Sequence, residues 1–133
     1  MEKNISGEVE DLHNSVETAE INALEALNNP TTRFQFKYIK NPSPRAWGCC
    51  VEEQLNMMAV SKDWKTQFKV KHSRPDYYKY INGKHLFVDL TTEKQSGPGG
   101  PHITEKLDCC GYNLEENVQA ADITHRSLNP ELP

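Results

Sequence analysis

Two aspartates, Asp76 and Asp89, lie on either side of Asn82-Gly83, within a stretch rich in residues that favour strands. Asn-Gly is the strongest short-range signal for a two-residue hairpin loop, because both central residues of a type I′ turn need positive φ. Such a loop pairs Ile81 with Lys84, and equal steps outward along both strands bring Asp76 opposite Asp89. The spacing therefore predicts two carboxylates as direct cross-strand partners, with Cα atoms about 4.5–5.5 Å apart.

Facing carboxylates destabilise a sheet unless something positive lies between them. A divalent cation is the simplest candidate, since hard cations prefer carboxylate oxygens. The alternative is a solvated edge hairpin in which the two groups share a proton or face a nearby arginine. Charge spacing alone leaves both interpretations open.

A third carboxylate comes from a helix predicted near residues 48–60. Val51, Leu55 and Met58 form its apolar stripe. At about 100° per residue, Glu52 falls at the edge of that stripe and Glu53 points away from it. Glu52 is therefore placed to reach over a sheet, although a surface glutamate is the commoner outcome.

The segments "WGCCVEEQL" and "RPDYYKYINGKHLFVDLTT" together resemble the PD-(D/E)xK restriction-endonuclease-like nucleases. That superfamily has a helix carrying a glutamate, a strand beginning Pro-Asp, and a paired strand carrying Asp/Glu-x-Lys. Glu52, Asp76 and Asp89 match these acidic positions, and the resemblance covers roughly residues 46–107. It implies a restriction-endonuclease-like core in which the three acids bind Mg²⁺ or Mn²⁺ and the protein cleaves DNA or RNA.

The trailing "DLTTEKQ…PGGPHITEK" looks like toxin-type members of this superfamily, found at the tips of bacterial polymorphic toxins. The resemblance thus implies a toxin or effector domain with a tightly binding inhibitor, or immunity protein. One position departs from the family pattern, because Thr91 stands where the family has its lysine. Lys94 or Lys106 can replace the missing charge, and Gln95 can orient water; catalytic competence depends on these residues.

Two other function classes remain open. Cys50 near a helix N-terminus, followed by His72 and Asp89, has the chain order of papain-like and transglutaminase-like enzymes. In the hairpin register, however, His72 lies about 13 Å from the position opposite Asp89. The second alternative is a non-enzymatic module whose strand tyrosines (Tyr77, Tyr78 and Tyr80) contact a protein or nucleic acid.

Charge is segregated along the 133-residue chain. Residues 1–30 hold one lysine against seven acidic residues, a net charge of −6. Residues 31–107 hold thirteen basic against seven acidic residues, +6, and residues 108–133 hold one against five, −4. The basic middle section suits a polyanionic substrate such as nucleic acid, although charge blocks are also typical of solvated faces.

The four cysteines form two adjacent pairs without C-x-x-C spacing, which favours reduced thiols over a zinc site. No apolar run is long enough to cross a membrane, and the N-terminus has no Sec-type signal. We expect a cytoplasmic protein, or one delivered into a target cell's cytoplasm by a dedicated secretion system.

The element order predicts an α+β domain with a small mixed or antiparallel sheet, built around the Asn-Gly hairpin and flanked by helices. Residues 1–30 form an N-terminal amphipathic helix (over 8–27), 31–121 the nuclease-like domain, and 122–133 an irregular tail. The remaining elements are predicted as follows: strands over 33–39, 66–71, 75–81 and 84–91; a turn at 41–44; a loop at 96–101; and helices over 102–110 and 114–121, the last capped by Asn113.

Overall fold

Three helices precede a four-stranded sheet in this computed structural model, which describes residues 5–66, 76–92 and 118–125. The helices are α1 (Ile5–Ala26), α2 (Arg33–Lys40) and α3 (Pro44–Ser61). The strands are β1 (Lys65–Thr66), β2 (Tyr77–Ile81), β3 (Lys84–Thr92) and β4 (Val118–His125). They lie in the order β1-β2-β3-β4; the first three are antiparallel neighbours, and β4 runs parallel to β3. The predicted α+β class with a mixed sheet is confirmed.

The hairpin forms as its turn residues require. Asn82 and Gly83 have φ of 52° and 76°, the positive values that a type I′ turn needs. Ile81 pairs with Lys84, and the register continues to Tyr77 opposite Val88. Both predicted strands and their register are confirmed.

The first and third helices follow their apolar stripes. Leu12, Val16, Ala19 and Ala23 are buried along α1, which packs against α3 and β4. Helix α3 starts earlier than predicted, because the Ser43 side chain accepts a hydrogen bond from Ala46 N at 3.1 Å and caps it. None of the described helices is long and apolar enough to span a bilayer.

The predicted strand over 33–39 is wrong, because these residues form α2. Thr32 and Gln35 build a complete capping box: Gln35 N donates to Thr32 Oγ1, and Thr32 N donates to Gln35 Oε1. Gln35 and Tyr38 are the buried residues of this helix, three positions apart. The apolar alternation of "RFQFKYI" therefore does not mark its buried face.

The C-terminal prediction is also wrong where the structure describes it. Residues 118–121, predicted as the end of a helix, begin β4, and residues 122–125, predicted as irregular tail, complete it. Pairing with β3, which is distant in sequence, decides the conformation here. The predicted loop at 96–101, the helix over 102–110, residues 114–117 and the strand beyond Thr66 lie outside the described residues.

The sheet has two different faces. The core shared with the helices includes Tyr77, Ile81, Leu86, Val88 and Ile123. Since strand side chains alternate, the opposite face carries Tyr78, Phe87, Asp89 and Thr91, which are also buried. We call the first the helix face and the second the opposite face.

Candidate functional site

Asp76 and Asp89 contact each other where the chain enters β2. Asp76 N donates to Asp89 Oδ1 at 3.1 Å, and Leu90 N donates to Asp76 Oδ2 at 2.9 Å. Asp89 is 1% exposed, and Asp76 is half-buried. The predicted cross-strand carboxylate pair is present, one step beyond the last paired residues of the hairpin.

The predicted alternative of a solvated edge hairpin is wrong. Strand β3 has β2 on one side and β4 on the other, so it is an interior strand, and Asp89 is buried in it. Backbone N–H groups that donate to both carboxylates offset part of their repulsion. The hairpin therefore holds its two negative groups together inside the sheet.

A third aspartate extends this pair. The parallel register sets Asp122 of β4 beside Asp89 of β3. Partners in neighbouring strands are about 4.8 Å apart and share a face. Asp76, Asp89 and Asp122 therefore stand abreast across three strands on the opposite face, and we call them the acidic row. Sequence reasoning missed Asp122, because its position depends on the pairing of β4.

Glu52 approaches this end of the sheet from the other side. It is half-buried on α3, which packs on the helix face, whereas Asp89 points to the opposite face. The convergence of Glu52 with Asp76 and Asp89 on one side of the sheet stays a prediction. Among residues 5–66, 76–92 and 118–125, no group of three His, Cys, Asp or Glu side chains is close enough to hold a metal ion.

The hydroxyl of Tyr77 connects the acids electrostatically. It is buried and has no hydrogen-bond partner within the described ranges. Burial raises the pKa of Tyr77 well above its usual range, and the charges of Glu52, Asp76 and Asp89 raise it further, in that order. All three predicted carboxylates thus act on one neutral hydroxyl, which sequence reasoning did not connect with them.

Thr91 lies two residues after Asp89, so alternation places it on the same face, and it is buried. This placement agrees with its predicted position beside the acid. Lys94, Gln95 and Lys106, the predicted substitutes for the family lysine, lie outside the described residues, as do His72 and Pro75.

His125 is a further residue that sequence reasoning missed. It is buried at the end of β4 and packs against Gly48 of α3, one turn before Glu52. A Cβ added at Gly48 would lie 3.4 Å from His125 Nε2, so the glycine permits this close approach. No sequence signal links the two positions, because β4 must first pair with β3.

The two described cysteines have the character of core thiols. Cys50 Sγ donates to the Phe34 carbonyl at 3.5 Å. Burial raises the pKa of Cys50 to about 11, with Glu53 and Cys49 adding to the shift. Because a nucleophilic thiol needs a lowered pKa, this environment disfavours the Cys50–His72–Asp89 alternative.

The strand tyrosines do not form a joint stacking platform. Tyr77 is fully buried, and the Tyr78 hydroxyl lies 2.8 Å from His85 Nδ1 while its ring packs on Phe87. Only Tyr80 of the three is well exposed, at 60%. Packing thus accounts for two of the three tyrosines that suggested a binding module.

Comparison with known proteins gives no relative: no protein-family model, no curated protein and no solved structure matches this chain.

Proposed function

We propose that this protein is a metal-dependent nuclease that hydrolyses phosphodiester bonds in DNA or RNA, with Asp76 and Asp89 as its principal metal ligands. The observation that carries the proposal is the acidic row, in which three aspartates stand abreast and the first two are in contact. Carboxylates that stand together on one face of a sheet supply the oxygen ligands that hard cations prefer. Like charges on neighbouring strands break the usual pattern of sheet side chains, and positions that do so are candidates for function.

The donor set suits Mg²⁺ or Mn²⁺. Mg²⁺ is usually held by one or two carboxylates, with waters and substrate phosphates completing its shell. Asp76 and Asp89 meet that requirement as a pair. An ionised carboxylate has about four acceptor positions, so the backbone N–H bonds are compatible with a bound cation.

Each residue of the site has a distinct part in this proposal. Asp76 and Asp89 hold the cation, which supplies an activated water and neutralises the charge that develops on phosphate. Asp122 adds negative potential on the same face. Glu52 does so from the helix face, across the neutral hydroxyl of Tyr77. Thr91 donates a hydrogen bond, and Lys94 and Gln95 take the positions nearest the family lysine.

The arrangement of elements supports the family resemblance. A helix carrying Glu52 precedes a strand that Asp76 introduces, and that strand pairs with the one carrying Asp89. A restriction-endonuclease-like core, a polymorphic-toxin role and an acidic inhibitor that covers the basic middle section belong to this proposal. Harmless high-level expression of the wild-type chain in bacteria would argue against the toxin role.

Asp89→Asn tests the nuclease directly. The asparagine keeps a carbonyl oxygen for the Asp76 N–H and removes the charge that a cation requires. Plasmid DNA and structured RNA are incubated with the protein in Mg²⁺, in Mn²⁺ and in EDTA. We expect cleavage in either metal, none in EDTA, and a loss of more than about 100-fold in Asp89→Asn and Asp76→Asn. Asp122→Asn should lose less.

Asp63→Asn is the matched control, since it removes an exposed carboxylate remote from the row. Asp63 has a φ of 69°, a conformation that asparagine also adopts readily. This variant should cleave like the wild type. Absence of any cleavage by the wild-type chain in either metal, or full activity of Asp89→Asn, would overturn the proposal.

A further inference from the structure

Helix α2 displays an unusual concentration of positive charge. The chain has no acidic residue between Glu25 and Glu52, yet this stretch contains Arg33, Lys37, Lys40 and Arg45. All four are exposed. In the part of the chain that the structure describes, the ion pairs are Lys62–Asp11 and Lys79–Glu8, and none of these four cations takes part in one.

The outward side of α2 combines these charges with an aromatic ring. Gln35 and Tyr38 face inward, and at about 100° per residue the residues opposite them are Arg33, Phe36, Lys37 and Lys40. We call these four residues the α2 surface. Phe36 is 56% exposed and lies among the three cations. The stripe from Arg33 to Lys40 is about 10 Å long at 1.5 Å per residue.

Helix α2 is held firmly against α3. Beyond its capping box, Thr32 Oγ1 donates to Glu53 Oε1 at 2.7 Å. Tyr38 packs on Trp47 with ring centroids 6.0 Å apart. Because the helix is fixed before any partner arrives, binding on its outer side costs little backbone ordering.

The α2 surface adjoins the turn of α3 that carries Glu52. Thr32, which caps α2, donates to Glu53, and Cys50 Sγ donates to the Phe34 carbonyl at 3.5 Å, so α2 lies against residues 50–53 of α3.

We propose that the α2 surface binds single-stranded nucleic acid, with an unpaired base stacked on Phe36 and phosphates on Arg33, Lys37 and Lys40. The inference rests on the proposed nuclease and narrows its substrate to unpaired strands. Aromatic rings interleaved with cations match the alternation of bases and phosphates along a strand. At about 3.4 Å per stacked nucleotide, the stripe accommodates about three nucleotides.

Other classes of partner fit this surface less well. A membrane-bound helix buries a continuous apolar face, and the core of a protein interface is depleted in lysine. On α2, three cations share the outward side with Phe36, and the apolar residue beside it, Ile39, is only 39% exposed. A duplex hides the faces of its bases, so it can engage the three cations but not Phe36.

The test measures binding without catalysis. Fluorescently labelled 12-nucleotide RNA and DNA strands, and the corresponding duplexes, are titrated in EDTA with protein carrying Asp89→Asn. We expect both single strands to bind more tightly than the duplexes. Phe36→Ala should weaken single-strand binding by about 5- to 100-fold, and Phe36→Trp should restore it. Replacing Lys37 and Lys40 by alanine should reduce the slope of log K against log salt concentration by about 0.7 for each lysine removed.

Val60→Ala is the control, since Val60 is a similarly exposed apolar residue (60%) on α3. It should leave binding unchanged. Phe36→Ala that binds within twofold of its parent, duplexes that bind as tightly as single strands, or binding confined to anionic vesicles would overturn the inference.

Failure of this inference is distinguishable from failure of the proposed nuclease. A protein that binds strands through Phe36 in EDTA but cleaves nothing in Mg²⁺ or Mn²⁺ would refute only the nuclease. A nuclease that is indifferent to Phe36→Ala would refute only the binding surface.

Discussion

The central hairpin buries two charged residues in opposite ways. Lys79 on β2 has oppositely polarised partners: Glu8 Oε2 at 2.8 Å, the Lys62 carbonyl at 2.7 Å, and the Trp64 ring at 4.7 Å. Asp89 on β3 instead stands between two further aspartates in the acidic row. The described contacts of Lys79 are thus with groups of opposite polarity, whereas the strand register of Asp89 sets it beside two further aspartates.

Under the proposed function, the two residues are buried for different reasons: Lys79 stabilises the fold, whereas Asp89 binds a cation. A buried cation that meets a carboxylate, a carbonyl and an aromatic face has recovered much of the solvation it lost. Under the proposed function, the acidic row binds a ligand of opposite charge, a divalent cation. Removing the charge of Lys79 should therefore lower the free energy of unfolding, whereas removing that of Asp89 should leave it unchanged or raise it.

Lys79→Met should have the largest effect on stability. It leaves Glu8, whose side chain is only 14% exposed, without its cation. Breaking a buried pair in this way costs about 3–5 kcal/mol, which urea denaturation monitored by circular dichroism will measure. Lys79→Met combined with Glu8→Leu should recover most of that loss, because no buried charge then remains unpaired. A loss below about 1 kcal/mol in the single variant would mean that Lys79 is less well compensated than its contacts indicate.

A third buried ionisable group, the thiol of Cys50, is kept neutral by its environment. Its pKa is raised from 9.0 to about 11, so at neutral pH its thiolate is about 100-fold scarcer than that of an ordinary cysteine. Iodoacetamide should therefore alkylate Cys50 in the folded protein about 100-fold more slowly than free cysteine. Mass spectrometry of the modified peptide gives the rate.

The raised pKa of Cys50 makes the free energy of unfolding depend on pH. Since the folded protein binds this proton more tightly than the unfolded chain, the stabilisation is complete below pH 9 and is lost as pH rises towards about 11. The difference in unfolding free energy between wild type and Cys50→Val isolates this contribution. Rapid alkylation of Cys50 at pH 7 would instead favour the alternative that Cys50, His72 and Asp89 form the active site of a cysteine enzyme.

The sequence predicted the hairpin because its turn is decided locally. Asn82-Gly83 demands one backbone conformation, and that conformation sets the register that brings Asp76 to Asp89. Helix α2 also has a local signal, the capping box of Thr32 and Gln35, which the prediction of a strand over 33–39 overlooked. Its buried residues are Gln35 and Tyr38, and neither is a conventional apolar marker.

Strand β4 could not be derived in this way. Its conformation depends on parallel pairing with β3, and no local feature of residues 118–125 specifies that partner. Asp122 and His125 were missed for the same reason. For Glu52, helix phase gives the angle around α3 but not the face of the sheet on which α3 packs.

Asp89→Asn should have the smallest effect on stability, and this variant best distinguishes the burial of Asp89 from that of Lys79. In EDTA, Asp89→Asn should leave the free energy of unfolding unchanged or raise it by about 0.2–1 kcal/mol, since it relieves repulsion within the acidic row. Asparagine is required, because alanine would leave the Asp76 N–H without its 3.1 Å acceptor and cost about 1–3 kcal/mol.

Millimolar Mg²⁺ or Mn²⁺ completes this test. A ligand that binds only the folded state stabilises it by RT ln(1 + [L]/Kd), so either ion should raise the melting temperature of the wild type and leave that of Asp89→Asn unchanged. If the variant melts well below the wild type in EDTA and neither ion shifts the wild-type melt, Asp89 is a structural residue like Lys79. The row would then be a costly but structural feature of the sheet, and the nuclease would lose its metal site.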